Sequence, residues 1–348
     1  MAQVGPAFVS TRYQGSKQRA LGLIERALAH LRFDSVVDVF AGSGTVAHLF
    51  KRQGKRVLAN DALASAHVTL RALIENDDVR LAPERTLRLF DREPSRRYGD
   101  VVERLYRGIY FTDDENRVID AVCQNLDALA GHERDLGRHA LFQACLKKRP
   151  FNLFHRKNLA LRTREVSRSF GNKATWDAPL RDHFLAALTE ANAAVFASGR
   201  PCRATNEDAF ACALDAELVY LDPPYVRSDG ASFDYHGGYH FLEGLSDYAG
   251  WPARVDLSRK HRPLRGPKSP FSDRRTARDA LAALIDRARH VPALAISYRS
   301  DGTPSEGELT AWLREQGRQT KVFRQAFRYA LSRRSPEEIV VVGSRPGC

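Results

Sequence analysis

Ser35-Val-Val-Asp-Val-Phe40 is a short β-branched run that stops at Gly42 and Gly44. A helical pattern from Thr45 to about Lys51 then leads into a second run, Arg56-Val-Leu-Ala-Asn-Asp61. Strand, glycine turn, helix and strand within about 30 residues make a βαβ unit. Two strands joined by a crossover helix lie parallel in one sheet, so this stretch predicts an α/β fold.

The rest of the chain reads around that unit. Gln18 to Leu31 carries Leu21, Ile24, Leu28 and Leu31 at helical spacing. From about Glu75 to Arg200 the pattern is mainly helical, over Val101 to Ile109, Asp113 to Leu129, Glu133 to Leu146 and Pro179 to Phe196, with an irregular basic segment from Lys147 to Lys173. Strands resume at Arg203, at Glu217-Leu-Val-Tyr-Leu221 and at Ala293 to Tyr298. Two last runs, Val322 to Leu331 and Glu338 to Gly343, flank Ser-Arg-Arg-Ser-Pro and read as an antiparallel hairpin at a sheet edge. The expected organisation is a three-layer α/β domain formed by residues 1–76 and 200–348, split by a helical insertion at 77–199. A second irregular segment, 226–272, interrupts the sheet.

A length of 348 residues suits about two domains, or one large domain with an insertion. The hydrophobic fraction of 43% is enough for a full core. No run approaches the roughly 18 apolar residues of a membrane span, and the first residues lack the apolar stretch of a secretory signal. Cys123, Cys145, Cys202, Cys212 and Cys348 form no CxxC pair, so neither a disulfide scaffold nor a structural zinc site is expected, and a reducing cytoplasm is the natural setting. Lys plus Arg number 54 against 42 Asp plus Glu, a net charge of +12, which raises the expectation of a polyanionic partner.

Three motifs carry chemistry. In Asp38-Val-Phe-Ala-Gly-Ser-Gly44 the glycines let a ligand approach the backbone and open a helix N-terminus toward it. The third glycine of the dinucleotide fingerprint is absent, and a tight βα turn without a ligand is the plain alternative. Asp61 closes the next strand about twenty residues on, where a carboxylate can accept hydrogen bonds from ribose hydroxyls; the pair favours an adenosine-bearing ligand. Asp222-Pro-Pro-Tyr225 follows the apolar strand Leu218 to Leu221. Two prolines fix a stiff turn, so Asp222 and the Pro223 carbonyl can each accept an N–H from a planar amine while Tyr225 stacks on its ring. A strand terminator with an incidental aspartate is the alternative; the C-terminal end of a strand in an open α/β sheet speaks for a ligand. Tyr13-Gln-Gly-Ser-Lys17, taken by itself, reads as a capping turn with Ser16 at the N-cap.

Together these motifs, in this order, resemble the D12 class of adenine-specific DNA methyltransferases, relatives of the Dam enzyme. The resemblance extends over most of the chain. It takes in Thr205-Asn-Glu-Asp-Ala209, the basic stretch Ala144 to Asn152, and three further landmarks, Tyr239 to Glu243, Lys268 to Phe271 and Ser297 to Gly302. It implies a Rossmann-like methyltransferase sheet, S-adenosylmethionine as cofactor, and the N6 amine of adenine in DNA as acceptor. It places Tyr13 and Lys17 near the methionine end of the cofactor. Asp38, Phe40, Gly42 and Gly44 would form the glycine turn, Asp61 would hold the ribose, and Asp208 would contact the cofactor adenine. Asp222, Pro223 and Tyr225 would hold the target base. Ser16 stands where relatives often have glycine.

The chemistry implied needs no metal. Hydrogen bonds from N6–H to Asp222 and the Pro223 carbonyl return electron density to a delocalised amine, which attacks the methyl group in line. The base must leave the duplex to be reached. Lys147, Lys148, Arg149, Arg156, Lys157, Arg162, Arg164, Arg168 and Lys173, interleaved with Phe151, Phe154, Phe170 and Trp176, form one expected phosphate-binding run. Arg254, Arg259, Lys260, Arg262, Arg265 and Lys268 form another, in a DNA-contacting loop at 226–272. His236 and His240 flank two glycines that argue against one helix presenting both, which favours loop residues near DNA over a metal pair. Rival readings are an N4-cytosine DNA methyltransferase, an N6-adenine RNA methyltransferase, and a nucleic-acid-binding protein with a decayed site. The resemblance leaves open an orphan role or one beside a cognate restriction endonuclease.

Overall fold

The computed structural model describes residues 6–164, 173–266, 268–326 and 337–347. Its strands are β1 (Ser35–Asp38), β2 (Arg56–Asn60), β3 (Cys202–Thr205), β4 (Leu218–Leu221), β5 (Ala293–Arg299), β6 (Gln319–Ala326) and β7 (Glu337–Ser344). They form one sheet in the order β3-β2-β1-β4-β5-β7-β6. The pairs from β3 across to β5 are parallel, while β7 runs antiparallel to both β5 and β6. This is the mixed α/β sheet with a C-terminal antiparallel pair that the sequence predicts. Residues 327–331 of the first hairpin run and its Ser-Arg-Arg-Ser-Pro turn lie outside the described residues, as do Arg168, Phe170 and Cys348.

Helices α1 (Leu21–Leu28), α2 (Thr45–Arg52) and α3 (Ala64–Leu70) belong to the first half. The insertion carries α4 (Pro83–Arg88), α5 (Val101–Tyr106), α6 (Asp113–Leu126), α7 (Gly131–Lys147), α8 (Ala160–Thr163), α9 (Lys173–Asp177) and α10 (Leu180–Ala194). After β4 come α11 (Tyr235–Ser246), α12 (Trp251–Arg254), α13 (Ala277–Arg287) and α14 (Glu306–Glu315). Because strand side chains alternate between faces, neighbouring residues go to opposite cores. Val36, Leu218, Tyr220 and Ala295 pack with α1 to α3, whereas Val37, Val219, Leu294 and Ile296 pack with α13 and α14. None of the helices among the described residues is long and apolar enough to cross a membrane.

Two expectations change here. The insertion shares its apolar packing with the first sheet face rather than building a core of its own: Leu73 and Ile74 pack in one cluster with Leu141, Phe154 and Leu188. Thr69 and His139 meet at 3.1 Å, and Arg71 bonds Asp135 at 2.9 Å across the same seam. Segment 226–272, expected as a loop, carries α11 and α12 between irregular stretches and packs on the insertion. Phe241 of α11 stacks on Phe154 at 4.8 Å, and Trp251 donates to the Tyr106 hydroxyl at 3.1 Å. Its glycines do not break α11, because Gly237 and Gly238 sit in its first turn, where Asp234 caps the helix. His240 is therefore a core residue beside the Tyr110 hydroxyl (2.8 Å) and the Phe154 carbonyl (3.1 Å), and burial pushes its imidazole down to about 3.

The first basic run is corrected in part. Lys148, Arg149 and Arg162 are buried rather than presented to a phosphate. Arg149 donates to the carbonyls of Tyr110, Leu153 and Arg156. Lys148 and Arg162 converge on Glu115, at 2.7 and 2.6 Å. Glu115 also closes the capping box of α6 by accepting the Thr112 N–H at 3.0 Å. Burial alone would raise this carboxyl, but the bonds from Arg162 and Lys148 outweigh it and hold it below the usual glutamate range. The stabilisation is fully present above the ordinary value of 4.5 and is lost as pH falls through the lowered one. Glu115→Ala would leave two buried cations without their counter-charge. Urea denaturation is expected to show a loss of about 3–5 kcal/mol at neutral pH, and a loss below about 1 kcal/mol would show the cluster to be dispensable.

Candidate active site

At the carboxyl ends of β1 and β4 the chain opens a cleft of about 1170 Å³, counting the part continuous with solvent. Tyr13, Lys17, Asp38, Phe40, Gly42, Asp61, Asp208 and Asp222 all line it, although they come from five separate stretches of sequence. Gly44, Pro223 and Tyr225 do not; Pro224 supplies the wall beside Asp222. Lys268 reaches the rim, the single lining residue from the two basic runs.

The glycine turn is shaped by what surrounds it. Gly42 has a φ of +51°, and a Cβ there would lie 2.9 Å from the Tyr13 ring. Its N–H donates to Asp61 at 2.8 Å, and Leu63 N–H donates to the other carboxylate oxygen at 2.9 Å. Asp61 therefore staples the end of β2 to the turn after β1. Burial raises its carboxyl to about 6 against those two bonds. Asp38 sits deeper, with one carboxylate oxygen that has no hydrogen-bond partner. Burial, with the charges of Asp222 and Asp61, pushes its carboxyl well up. On one side Tyr13 clusters with Tyr239 (4.8 Å) and Tyr235 (5.8 Å), stacking on each. On the other, Phe271 meets Phe40 at 5.0 Å and Phe210 at 5.5 Å, beside Asp208.

Asp222 already has two internal donors. Lys17 Nζ lies 2.8 Å from one oxygen and the Tyr225 hydroxyl donates to the other at 2.9 Å. The same hydroxyl lies 2.7 Å from Glu338, which is 3.5 Å from Lys17 Nζ and accepts from Ser297 at 3.1 Å. The Tyr225 hydroxyl is thus held between two carboxylates, while the residue stays half-buried. Burial raises the Asp222 carboxyl to about 6; Lys17 works against that and the Glu338 charge adds to it.

A family model described as D12 class N6 adenine-specific DNA methyltransferase matches residues 13–244, more than half of the chain. The chain belongs to that family. The Type II methyltransferase M2.HphI of Haemophilus parahaemolyticus is 28% identical over 326 residues, covering 91% of each chain. Type II methyltransferase M.FokI of Planomicrobium okeanokoites is 24% identical over 88% of this chain but 47% of its own length. Modification methylase StsI of Streptococcus sanguinis is 25% identical over 87% of this chain and 46% of its own. The chain thus spans nearly all of the first relative and about half of the other two.

Within this D12 methyltransferase, three residues in or beside the quoted motifs take on site roles not assigned to them from sequence, and Glu338 lies outside the motifs altogether. Asn60 is buried and bonds the Val39 and Glu207 carbonyls through its amide N–H groups, while its oxygen accepts from Thr205, so it ties three strand ends together. Glu243 accepts the N–H groups of Ala64 and Ser65 at the start of α3. Ser297 and Glu338 complete the carboxylate cluster from β5 and β7. Asn60 precedes a motif residue and was open to inspection; Glu338, more than a hundred residues past Asp222, gives no local signal. If the turn is as tight as described, Gly42→Ala should displace Tyr13 and destabilise the protein by about 1–2 kcal/mol in a thermal or urea melt. An unchanged melt would mean the turn yields freely.

Proposed function

We propose that this DNA adenine methyltransferase takes its methyl group from S-adenosylmethionine in the cleft between β1 and β4, and transfers it to the N6 amine of an adenine flipped out of duplex DNA. The observation that carries the reading is the meeting, in one cleft, of the glycine turn and Asp222. Fit to the cofactor rests on charge and shape. The wall carries Asp38, Asp61, Asp208, Asp222 and Asp234 against Lys17 and Lys268, so it suits a cationic ligand. The unpartnered oxygen of Asp38 is free to accept an ammonium donor. Phe40 and Phe271, on the cleft wall beside Asp208, would offer aromatic surface to an adenine ring, and Asp61 would accept from ribose hydroxyls.

When bound, S-adenosylmethionine supplies an electrophilic methyl group on a sulfonium. The protein orients the amine toward it. Asp222 and the Pro223 carbonyl accept the two N6–H bonds, which pulls the lone pair back onto nitrogen and fixes the line of attack. Tyr225 acts in this proposal through its hydroxyl, which fixes one oxygen of Asp222. Proton loss follows methyl transfer, so Asp222 need not be a strong base. Extruding the base costs about a few kcal/mol, offset by contacts in the cleft.

For the DNA we propose a basic surface that draws on both runs. Arg107, Lys157, Arg259, Lys260 and Arg262 line one depression together with Leu257, although Lys157 and Arg259 are far apart in sequence. Arg156, Lys157, Arg164, Arg259, Lys260, Arg265 and Lys268 are exposed and Lys147 is half-buried, so these remain the proposed phosphate contacts. The names of the relatives speak of Type II modification, and a cognate endonuclease acting on the same site is proposed here as the biological partner.

Radiolabelled cofactor offered with DNA, RNA or no acceptor, followed by nucleoside analysis, tests the reading. Label is expected in N6-methyladenine from DNA and is expected to vanish in Asp222→Ala while cofactor binding persists; label in N4-methylcytosine, or only from RNA, would overturn it. Because Asp222 must be ionised to accept N6–H, and its carboxyl is raised to about 6, transfer should hold above that value. Single-turnover rates are expected to fall about tenfold per pH unit below it. A rate flat down to pH 4.5 would remove the carboxylate from the step. Replacing Lys157, Arg259 and Lys260 together by alanine should weaken DNA binding and flatten the plot of log affinity against log salt by about 2–3. An unchanged slope would remove these residues from the phosphate contacts.

A further inference from the structure

The internal donors on Asp222 pose a steric and electrostatic problem for the proposed reaction. Lys17 Nζ sits 2.8 Å from the oxygen that the substrate amine would use, and 4.8 Å above the Tyr225 ring. Its side chain is 7% exposed, so an ammonium displaced from Asp222 cannot simply enter water. A buried cation without a counter-charge is unstable by several kcal/mol, so it needs a second carboxylate within reach. Glu338 is that group. It is 3.5 Å from Lys17 Nζ, its side chain is 9% exposed, it accepts from the Ser297 hydroxyl at 3.1 Å, and it stands 2.7 Å from the Tyr225 hydroxyl, whose single proton it shares with Asp222.

We infer that Glu338 is a positioning residue for methyl transfer: it receives Lys17 when the target adenine displaces it from Asp222, and it keeps Tyr225 aimed at Asp222 meanwhile. The inference rests on the reading of Asp222 as the amine acceptor. No bond is made or broken in this exchange. One N–H···O contact of the ammonium passes from Asp222 to Glu338, and an N6–H of adenine takes the vacated carboxylate oxygen. Glu338 lies in β7, outside the residues matched by the family model. Its surroundings explain why a carboxylate is tolerated there. Lys17 and the hydroxyls of Tyr225 and Ser297 meet it from three different segments.

The test is Glu338→Gln, nearly isosteric and uncharged. Expected are an unchanged affinity for duplex DNA and a single-turnover transfer rate about 10- to 100-fold lower. The acidic limb of the rate profile should also move to lower pH, since a negative neighbour of Asp222 is gone. The groups that face Asp222 and set that limb are Lys17, Tyr225, Tyr220 and Glu338, with Asp38 and Tyr235 nearby. A residue that merely supports the fold would slow transfer without moving the limb. In a Lys17→Met background the same substitution is expected to slow transfer several-fold less than in the wild type, because there is no ammonium left to receive and only the hold on Tyr225 is lost. A wild-type rate and profile in Glu338→Gln, or an equal effect in both backgrounds, would overturn the inference. Should Glu338→Gln fail to fold, Glu338→Asp keeps the charge but withdraws it by one methylene. It should still slow transfer about tenfold, and a full rate there would be equally fatal. Wild-type protein that puts no methyl on adenine, or Asp222→Ala that remains active, would instead defeat the underlying reading of the site.

Discussion

Parallel strands end together at one edge of a sheet, and β1 and β4 are paired in parallel where the crossovers change direction. Asp38 stands opposite Tyr220 in that pairing, so the turn after each strand opens onto the same space. Helices and loops cannot fill the space, because β1 leads away toward β2 and β4 toward β5. The cleft is thus a by-product of topology, and its chemistry depends on which residues happen to end those two strands. Glycines after β1 keep one side open to a ligand. Prolines after β4 stiffen the other, so a carboxylate can be held at a fixed place beside it.

Holding carboxylates there is electrostatically costly, and the protein meets that cost unevenly. Asp61 is satisfied by two backbone N–H groups, Asp222 by Lys17 and a tyrosine hydroxyl, and Asp38 keeps one oxygen without a partner. Raised carboxyls at Asp38, Asp61 and Asp222 are the consequence of packing these acids with one buried ammonium among them. An arrangement optimised for stability alone would pair each acid or remove it. The imbalance is what a cationic ligand would relieve, so the same feature that weakens the empty site strengthens the occupied one.

Much of this was legible in the chain, and the reasons for what was not are physical. The βαβ unit and the proline turn are local patterns whose geometry follows from the residues themselves. Side-chain alternation along β1, β4 and β5 required only that the sheet be covered on both faces. By contrast, Lys148, Arg149 and Arg162 look in sequence like their exposed neighbours Arg156 and Lys157. What separates them is a set of distant partners that no spacing rule connects to them: Glu115 of another helix for Lys148 and Arg162, and the Tyr110, Leu153 and Arg156 carbonyls for Arg149. The expectation that Gly237 and Gly238 interrupt a helix fails for a related reason: glycine weakens a helix by about 1 kcal/mol, and packing of Tyr239 and Phe241 outweighs that and carries His240 into the core. Glu338 is the extreme case, since only the pairing of β7 with β5 brings it to Ser297 and so to the site.

The net charge of +12 takes on a different meaning once burial is known. Lys51, Lys148, Arg149, Arg162 and Arg318 are buried. Lys51 meets the carbonyls of Ile74 and Asn76, and Arg318 those of Ala288 and Val291. These cations support the fold and are not available to a phosphate. The outward field comes from the remaining basic side chains, and the depression lined by Lys157, Arg259 and Lys260 concentrates several of them. The cleft, by contrast, is lined mainly by acids. A polyanion drawn to the surface would meet repulsion at the cleft mouth unless the cleft already held a cation. Screening confines such an effect to about 8–10 Å at physiological salt, which is the scale of a single nucleotide's approach. In the proposed reaction, a cationic cofactor held in the cleft would lessen that repulsion by charge alone.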